Sequence, residues 1–343
     1  MALWFFLNWG TIMIPEKIKK LLKKQHYELV GKHSAIQICR WTKKSLREEG
    51  VCYKEKFYGI KSHLCCQMTP AVMWCQNKCI HCWRAIENTI GEELNIKEID
   101  NPKEIIDKCI LAQRKLLQGF KIDPKSNKKQ LSKACQKKYI EAQEPMQFAI
   151  SLSGEPTIYP KIGELILELR KRGKTSFLVT NGLNPEKIKE LSCKKQLPTQ
   201  IYVSVNAPNK NLYEKIHLNK NKKAWKILNE TLRILPKIKN KTRTVFRMNL
   251  IRNLNMNEKH INEYSNLIKK SKPKFVEIKG YMSVGYARQR LGYERMPNEK
   301  EMEIFAKKLA KKTGLKILDK HEFSRAWVLG KNKRDLKIKQ KEI

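Results

Sequence analysis

From about residue 68 the chain alternates two kinds of apolar pattern. Short runs at 69–74, 147–152, 175–180, 200–206, 243–251 and 275–281 read as strands. Between them, 103–118, 161–171, 185–192, 222–235 and 257–270 carry helical spacing. In the fourth helical stretch Trp225, Leu228, Leu232 and Leu235 fall on one face. Six β/α repeats predict an α/β fold with a parallel sheet. A helix at 298–312 and a basic tail follow.

Within the strands, polar residues recur on one side. Ile201, Val203 and Val205 oppose Tyr202, Ser204 and Asn206; Phe246, Met248 and Leu250 oppose Arg247 and Asn249; Val276 and Ile278 oppose Glu277, Lys279 and Tyr281. A closed barrel fills its interior with branched apolar side chains. Three strands with a polar second face instead predict a partial, TIM-like (β/α)6 barrel whose lumen holds ligands. The organisation expected is a basic, cysteine-bearing extension over 1–67, a barrel core over 68–295, and a C-terminal helix with a basic tail over 296–343.

Composition narrows the partners. The 343 residues include 72 Lys and Arg against 33 acidic residues, a formal charge of +39. A solvated thermophile surface would carry balancing Glu, so the excess points to a polyanion, with nucleic acid the usual one. No run approaches the ~20 apolar residues of a membrane span. The opening "MALWFFLNWGTI" lacks the basic region and cleavage site of a secretory signal. Its twelve residues are expected to be dispensable, the fold starting near Pro15, which suits a first helical turn. Ten unevenly spaced cysteines argue for metal ligands rather than a secreted disulfide framework, and for a cytoplasmic protein.

The densest chemistry is "CQNKCIHCW", residues 75–83. Zinc sites usually bring ligands in pairs, and no second pair follows Cys79 and Cys82 at finger spacing. Instead Cys75, Cys79 and Cys82 form C-x3-C-x2-C after the first strand, able to leave one iron of a 4Fe-4S cluster open. This resembles the radical S-adenosylmethionine signature, with His81 where that superfamily usually has an aromatic. "SGEPT", with Gly154, Glu155 and Pro156, resembles its motif contacting the methionine amino group. "TNG", with Thr180, Asn181 and Gly182, ends the third strand, and Ser204 and Asn206 end the fourth. Each alone reads as a turn. Their shared place at strand C-termini, the functional end of parallel barrels, makes them candidate cofactor contacts. The resemblance implies a reduced cluster that passes one electron to S-adenosylmethionine and frees a 5′-deoxyadenosyl radical.

Upstream, Cys39, Cys52 and Cys65 stand at intervals of 13 residues. Buried small core residues are the bland account. Yet "QICRW", "GVCYKEKFYGI", "HLCCQMTP", "WCQNKCIHCWR", "SLSGEPT", "FLVTNG" and "IKGYMSVGYARQRL" together resemble the tRNA 4-demethylwyosine synthase family over roughly residues 30 to 295. That family condenses N1-methylguanosine, beside the anticodon of tRNA-Phe, with two carbons of pyruvate. The resemblance implies a second 4Fe-4S cluster on Cys39, Cys52 and Cys65, with Cys66 an alternative to Cys65. It gives Lys54 the place of a lysine forming a Schiff base with pyruvate, although a countercharge role is equally open. "EKIKKLLKK", "KSNKKQLSKACQKK", "KIKNKTR" and "KNKRDLKIKQK" would hold the tRNA backbone. A separate electron donor, such as a flavodoxin or ferredoxin, and a monomer are expected. The competing readings are a single-cluster radical RNA methyltransferase or methylthiotransferase, and a non-catalytic zinc-dependent RNA-binding protein.

Overall fold

In the computed structural model, residues 14–94, 99–121 and 133–343 are described; the twelve-residue start and most of the basic stretch near 125–138 lie outside them. The strands are β1 (Glu28–Val30), β2 (Ser34–Gln37), β3 (Cys65–Thr69), β4 (Gln147–Ile150), β5 (Thr175–Thr180), β6 (Gln200–Ser204), β7 (Arg243–Leu250), β8 (Phe275–Gly280), β9 (Lys316–His321) and β10 (Ala326–Gly330). They form one sheet in the order β1-β2-β3-β4-β5-β6-β7-β8-β10-β9. β3 to β8 run parallel, and antiparallel pairs extend both edges. The six parallel strands are the partial barrel that the alternation predicts.

Helices cover the outside, and their ends carry local signals. Pro102–Leu117 starts with Pro at the first turn and the Asn101 side chain accepting from the Lys103 N–H. Glu299–Thr313 has a capping box of Asn298 and Glu301, and ends on Gly314 at φ +71°. Val203, Phe246, Met248 and Ile278 pack with Leu228 and Leu235 of the helix Ala224–Ile238 in one buried core. Each such side chain contributes about 1.5–3 kcal/mol when fully buried.

The other face of the sheet has an aromatic floor. Tyr53, Phe57 and Tyr58, from the short helix Tyr53–Tyr58, pack with Phe177, Tyr202, Val245 and Phe275. The C-terminal segment seals this floor. Leu336 is buried in the same cluster, and the Ile338 N–H donates to the Tyr58 carbonyl at 3.0 Å. Buried Arg243 donates to Gln200 Oε1 and to the Glu342 carboxylate.

Three expectations change. The first parallel strand is β3, not 69–74: Pro70 interrupts the run, and Ala71, Val72, Met73 and Trp74 are apolar because they are buried in a loop. The boundary at 67/68 falls inside β3, so the extension shares the core's sheet. The basic tail contains β9 and β10 and the floor contacts just described; Lys333, Arg334, Lys337 and Lys339 are exposed around buried Leu336. Among the described residues, no helix is long and apolar enough to cross a membrane.

Candidate active site

A cavity of about 390 Å³ opens at the C-terminal ends of the parallel strands. Cys75, Cys79, Cys82, His81, Gly154, Glu155, Asn181, Ser204 and Asn206, all singled out by sequence, line it together. The cysteine loop is held on three sides. The Lys78 and Ile80 N–H groups donate to the His217 and Ile216 carbonyls, both at 2.9 Å, at the end of the helix Lys210–His217. Arg290 donates to the Ile80 carbonyl at 3.0 Å and to those of Cys82 and Arg84. The Glu155 N–H donates to the Trp74 carbonyl at 2.7 Å. Gly154, at φ +78°, fits because a Cβ there would overlap the Ala71 carbonyl oxygen.

The Glu155 carboxylate joins two loops. Its Oε1 accepts from the Thr157 N–H (3.1 Å), Thr157 Oγ1 (2.6 Å) and Thr180 Oγ1 (2.7 Å); its Oε2 accepts from the Asn181 N–H (2.6 Å). Burial raises its pKa, and these donors only partly draw it back. Asn181 Nδ2 then reaches Gln76 Oε1 at 2.9 Å, tying the "TNG" turn to the cysteine loop.

All three thiols are half-buried. Burial pushes the Cys75 thiol up to about 11 despite Arg84, and the Cys79 thiol well above its ordinary value. Arg84, only 2% exposed, lies behind them. It donates to the Asn77 carbonyl at 2.8 Å and Thr89 Oγ1 at 2.7 Å, and the thiolates of Cys82, Cys75 and Cys79 outweigh burial in keeping it charged. Three thiolates backed by a fixed cation are a donor set suited to an iron–sulfur cluster. Among the described residues, no His, Cys, Asp or Glu side chains converge on a single-ion site.

Asn206 organises the opposite wall. Its Oδ1 accepts from the Asn249 N–H at 3.1 Å, which turns Nδ2 toward His81 Nε2 (3.3 Å) and His217 Nε2 (3.4 Å). Burial lowers His81 to about 3 and His217 to about 4, so both rings stay neutral.

Below the cavity lies the second cysteine set. Cys39 precedes the helix Arg40–Leu46, Cys52 caps the helix Tyr53–Tyr58, and Cys65 opens β3. Burial lifts the Cys52 thiol to about 12 and the Cys65 thiol well above its ordinary value, and Cys39 is near enough to both to add to the rise. Cys66 points the other way, into the core against Cys109. Lys54, 7% exposed, lies over the rings of Phe177 (4.9 Å) and Tyr202 (5.1 Å). Burial lowers its pKa, and the Cys65 and Cys52 thiolates push back.

Four residues without an assigned role at the sequence level complete the lumen. Glu277 is fully buried and accepts from the Tyr58 (2.9 Å) and Tyr53 (3.2 Å) hydroxyls; Arg247 Nε approaches it at 3.7 Å. Lys279 lies 4.1 Å over the Tyr53 ring, its pKa brought down to about 8 by burial and by Arg247. Lys54, Arg247 and Lys279 thus face one carboxylate, an excess of positive charge that suits an anionic ligand. The strand alternation carried the signal for Arg247, Glu277 and Lys279; nothing in the sequence distinguished His217.

At the opposite end of the barrel, a larger basic cleft of about 920 Å³ is lined by residues that include Lys239, Lys241, Lys331 and Lys341. Two of the basic stretches expected to grip RNA therefore meet away from the thiols. The chemistry singles out the smaller cavity.

Comparison with known proteins agrees with this geometry. A family model for the radical SAM superfamily matches residues 70–264, and one for wyosine base formation matches 270–331. S-adenosyl-L-methionine-dependent tRNA 4-demethylwyosine synthase of Pyrococcus abyssi is 45% identical over 91% of this chain and 88% of its own length. The Pyrococcus horikoshii protein of the same name is 46% identical over the same shares. A solved structure of TYW1 with a lysine–pyruvate adduct bound superposes with a TM-score of 0.79 at 36% identity, covering 96% of this chain and 99% of that one. The chain belongs to the tRNA 4-demethylwyosine synthase family of radical S-adenosylmethionine enzymes.

Proposed function

We propose that this protein builds 4-demethylwyosine in tRNA-Phe, joining two carbons of pyruvate to N1-methylguanosine beside the anticodon. The observation that carries the reading is the presence of two three-cysteine sets: Cys75, Cys79 and Cys82 line the cavity, and Cys39, Cys52 and Cys65 lie near one another with Lys54 beside Cys65 and Cys52. Cys75, Cys79 and Cys82 would hold a 4Fe-4S cluster, which would supply the one-electron reduction of S-adenosylmethionine. Asn181, Ser204 and Asn206 line the wall on which the cofactor would rest, with Gly154 and Glu155 shaping it.

The second set would hold the second cluster, with Cys65 rather than Cys66 as ligand. Lys54 would form the pyruvate adduct, and the position of its amine over Phe177 and Tyr202 supports this. So does the adduct in the TYW1 structure. Arg247 and Lys279 would face the pyruvate carboxylate. Helical wrapping and the aromatic floor keep bulk water from this end of the lumen. A separate reductant, a monomeric state and a cytoplasmic setting complete the reading.

Iron and sulfide per chain, measured after anaerobic reconstitution, test it. About eight irons in the wild type and about four in Cys39→Ala/Cys52→Ala/Cys65→Ala are expected. About four in both would remove the second cluster.

A further inference from the structure

Nine large apolar side chains are exposed among the described residues, and only two are aromatic: Tyr293 (61%) and Phe323 (82%). Both belong to the barrel mouth. Phe323 sits in the turn between β9 and β10, and β10 begins with Ala326 paired to Lys279 at the C-terminal end of β8. Tyr293 lies in the loop after β8, beside the residues that follow β7: the Arg252 N–H donates to the Arg295 carbonyl at 2.9 Å. The same loop contributes half-exposed Val284 to the cavity wall.

Each ring has a neighbouring ring or cation. Phe323 packs on His321 at 6.3 Å, and His321 meets Trp41 edge-on at 5.3 Å. Near Phe323 the charges pair off, Lys320 with Glu299 and Glu322 and Lys56 with Asp319. Arg325, which follows the turn, is half-buried, so the ring is the most exposed group that the turn offers a partner. Around Tyr293 the balance is cationic. The Arg288 guanidinium stands 4.9 Å from the ring centroid and donates to the Ser283 carbonyl, and Arg295 donates to the Arg252 and Asn253 carbonyls. Among the described residues neither guanidinium is in an ion pair, and Glu294 is the one acidic residue between them in sequence, so the loop keeps a net positive charge.

Exposed aromatics, one of them beside cations, offer what unstacked RNA bases require: a π-face for each base and positive charge for the phosphates. A base drawn into the cavity leaves its neighbours with an exposed face, at a cost of a few kcal/mol. We propose that Tyr293 and Phe323 are a stacking platform for the loop bases that flank the target nucleotide. This rests on the reading that an anticodon-loop base of tRNA enters the cavity. Both residues fall within the segment matched by the wyosine base formation model.

The test uses the full chain with its clusters. Binding of methylated tRNA-Phe is followed by anisotropy, and stacking by a 2-aminopurine placed next to the target. Tyr293→Ala and Phe323→Ala should each weaken binding about tenfold and lose the 2-aminopurine quench, with Tyr293→Phe and Phe323→Trp restoring both. The thermal midpoint should not move, because both rings are exposed. An unchanged Kd in the double alanine variant, with wild-type protein still forming product, overturns the platform alone. Unchanged Kd with slower reduction by the protein electron donor also overturns it and gives the aromatics to that donor. Wild-type protein that neither binds nor modifies tRNA-Phe refutes the functional reading and the platform with it.

Discussion

Replacing Glu155 by Gln keeps the side chain's shape but removes its charge and one acceptor. The least costly pose leaves the amide oxygen at the Oε1 site, still accepting from Thr157 and Thr180. The amide nitrogen then faces the Asn181 N–H across the 2.6 Å now spanned by Oε2, donor against donor. An orphaned buried N–H costs about 1–3 kcal/mol. The three remaining bonds lose charge assistance, which roughly doubles a neutral bond's strength. Against this, an uncharged group no longer suffers the burial that raises the Glu155 pKa. The net expectation is a loss of about 2 kcal/mol, or a midpoint roughly 3 °C lower. Urea denaturation under anaerobic conditions measures the first quantity. Equilibrium binding of S-adenosylmethionine measures whether the displaced Asn181 turn widens the cavity, and about tenfold weaker binding is expected. A variant within 0.5 kcal/mol of wild type and unchanged in binding would refute the bracing role. Unchanged stability with binding lost entirely would make Glu155 a direct contact instead.

Cys65→Ala should lose about four irons per chain, whereas Cys66→Ala should retain about eight, at about 1 kcal/mol of stability for the lost core contact. Lys54→Ala should no longer be labelled when borohydride is added with labelled pyruvate; labelling equal to wild type would rule out Lys54 as the adduct site. His217, lowered to about 4 in the fold, binds fewer protons than its unfolded form between pH 6.5 and 4, so its contribution is present above that window and lost on acidification. Between pH 7 and pH 5 wild-type stability should therefore fall by about 2 kcal/mol more than that of His217→Gln, as read from urea midpoints. Glu342→Gln should cost about 2 kcal/mol in thermal or urea unfolding by weakening the contact to buried Arg243.

The parallel barrel was legible because its strands and helices keep period 2 and period 3.6 over several turns. The failures have local causes. "AVMW" reads as a strand but is apolar for another reason: loop residues 71–74 are buried. β3 reads "CCQMT", where two cysteines and a glutamine conceal an alternating strand. That alternation puts Cys65 and Cys66 on opposite faces, since neighbours on a strand face opposite sides. β9, with Lys316, Asp319 and Lys320, looks like tail because it is a charged edge strand. The cysteine loop and the "SGEPT" and "TNG" turns were visible as motifs. The role of Arg84 behind the thiols was not, because in a chain of 72 basic residues only burial sets such a residue apart.

The aromatic floor joins segments from opposite ends of the sequence, and this orders events during synthesis. The helix Tyr53–Tyr58 emerges from the ribosome early, but Leu336, Ile338 and Glu342 arrive only after every parallel strand has been made. Until then Phe57 and Tyr58 lack their cover, and Arg243 lacks its carboxylate. Such distant contacts form late and slowly. Cys52, which packs against the same floor, thus lacks that cover for most of translation, and the residues around 336–342 supply it.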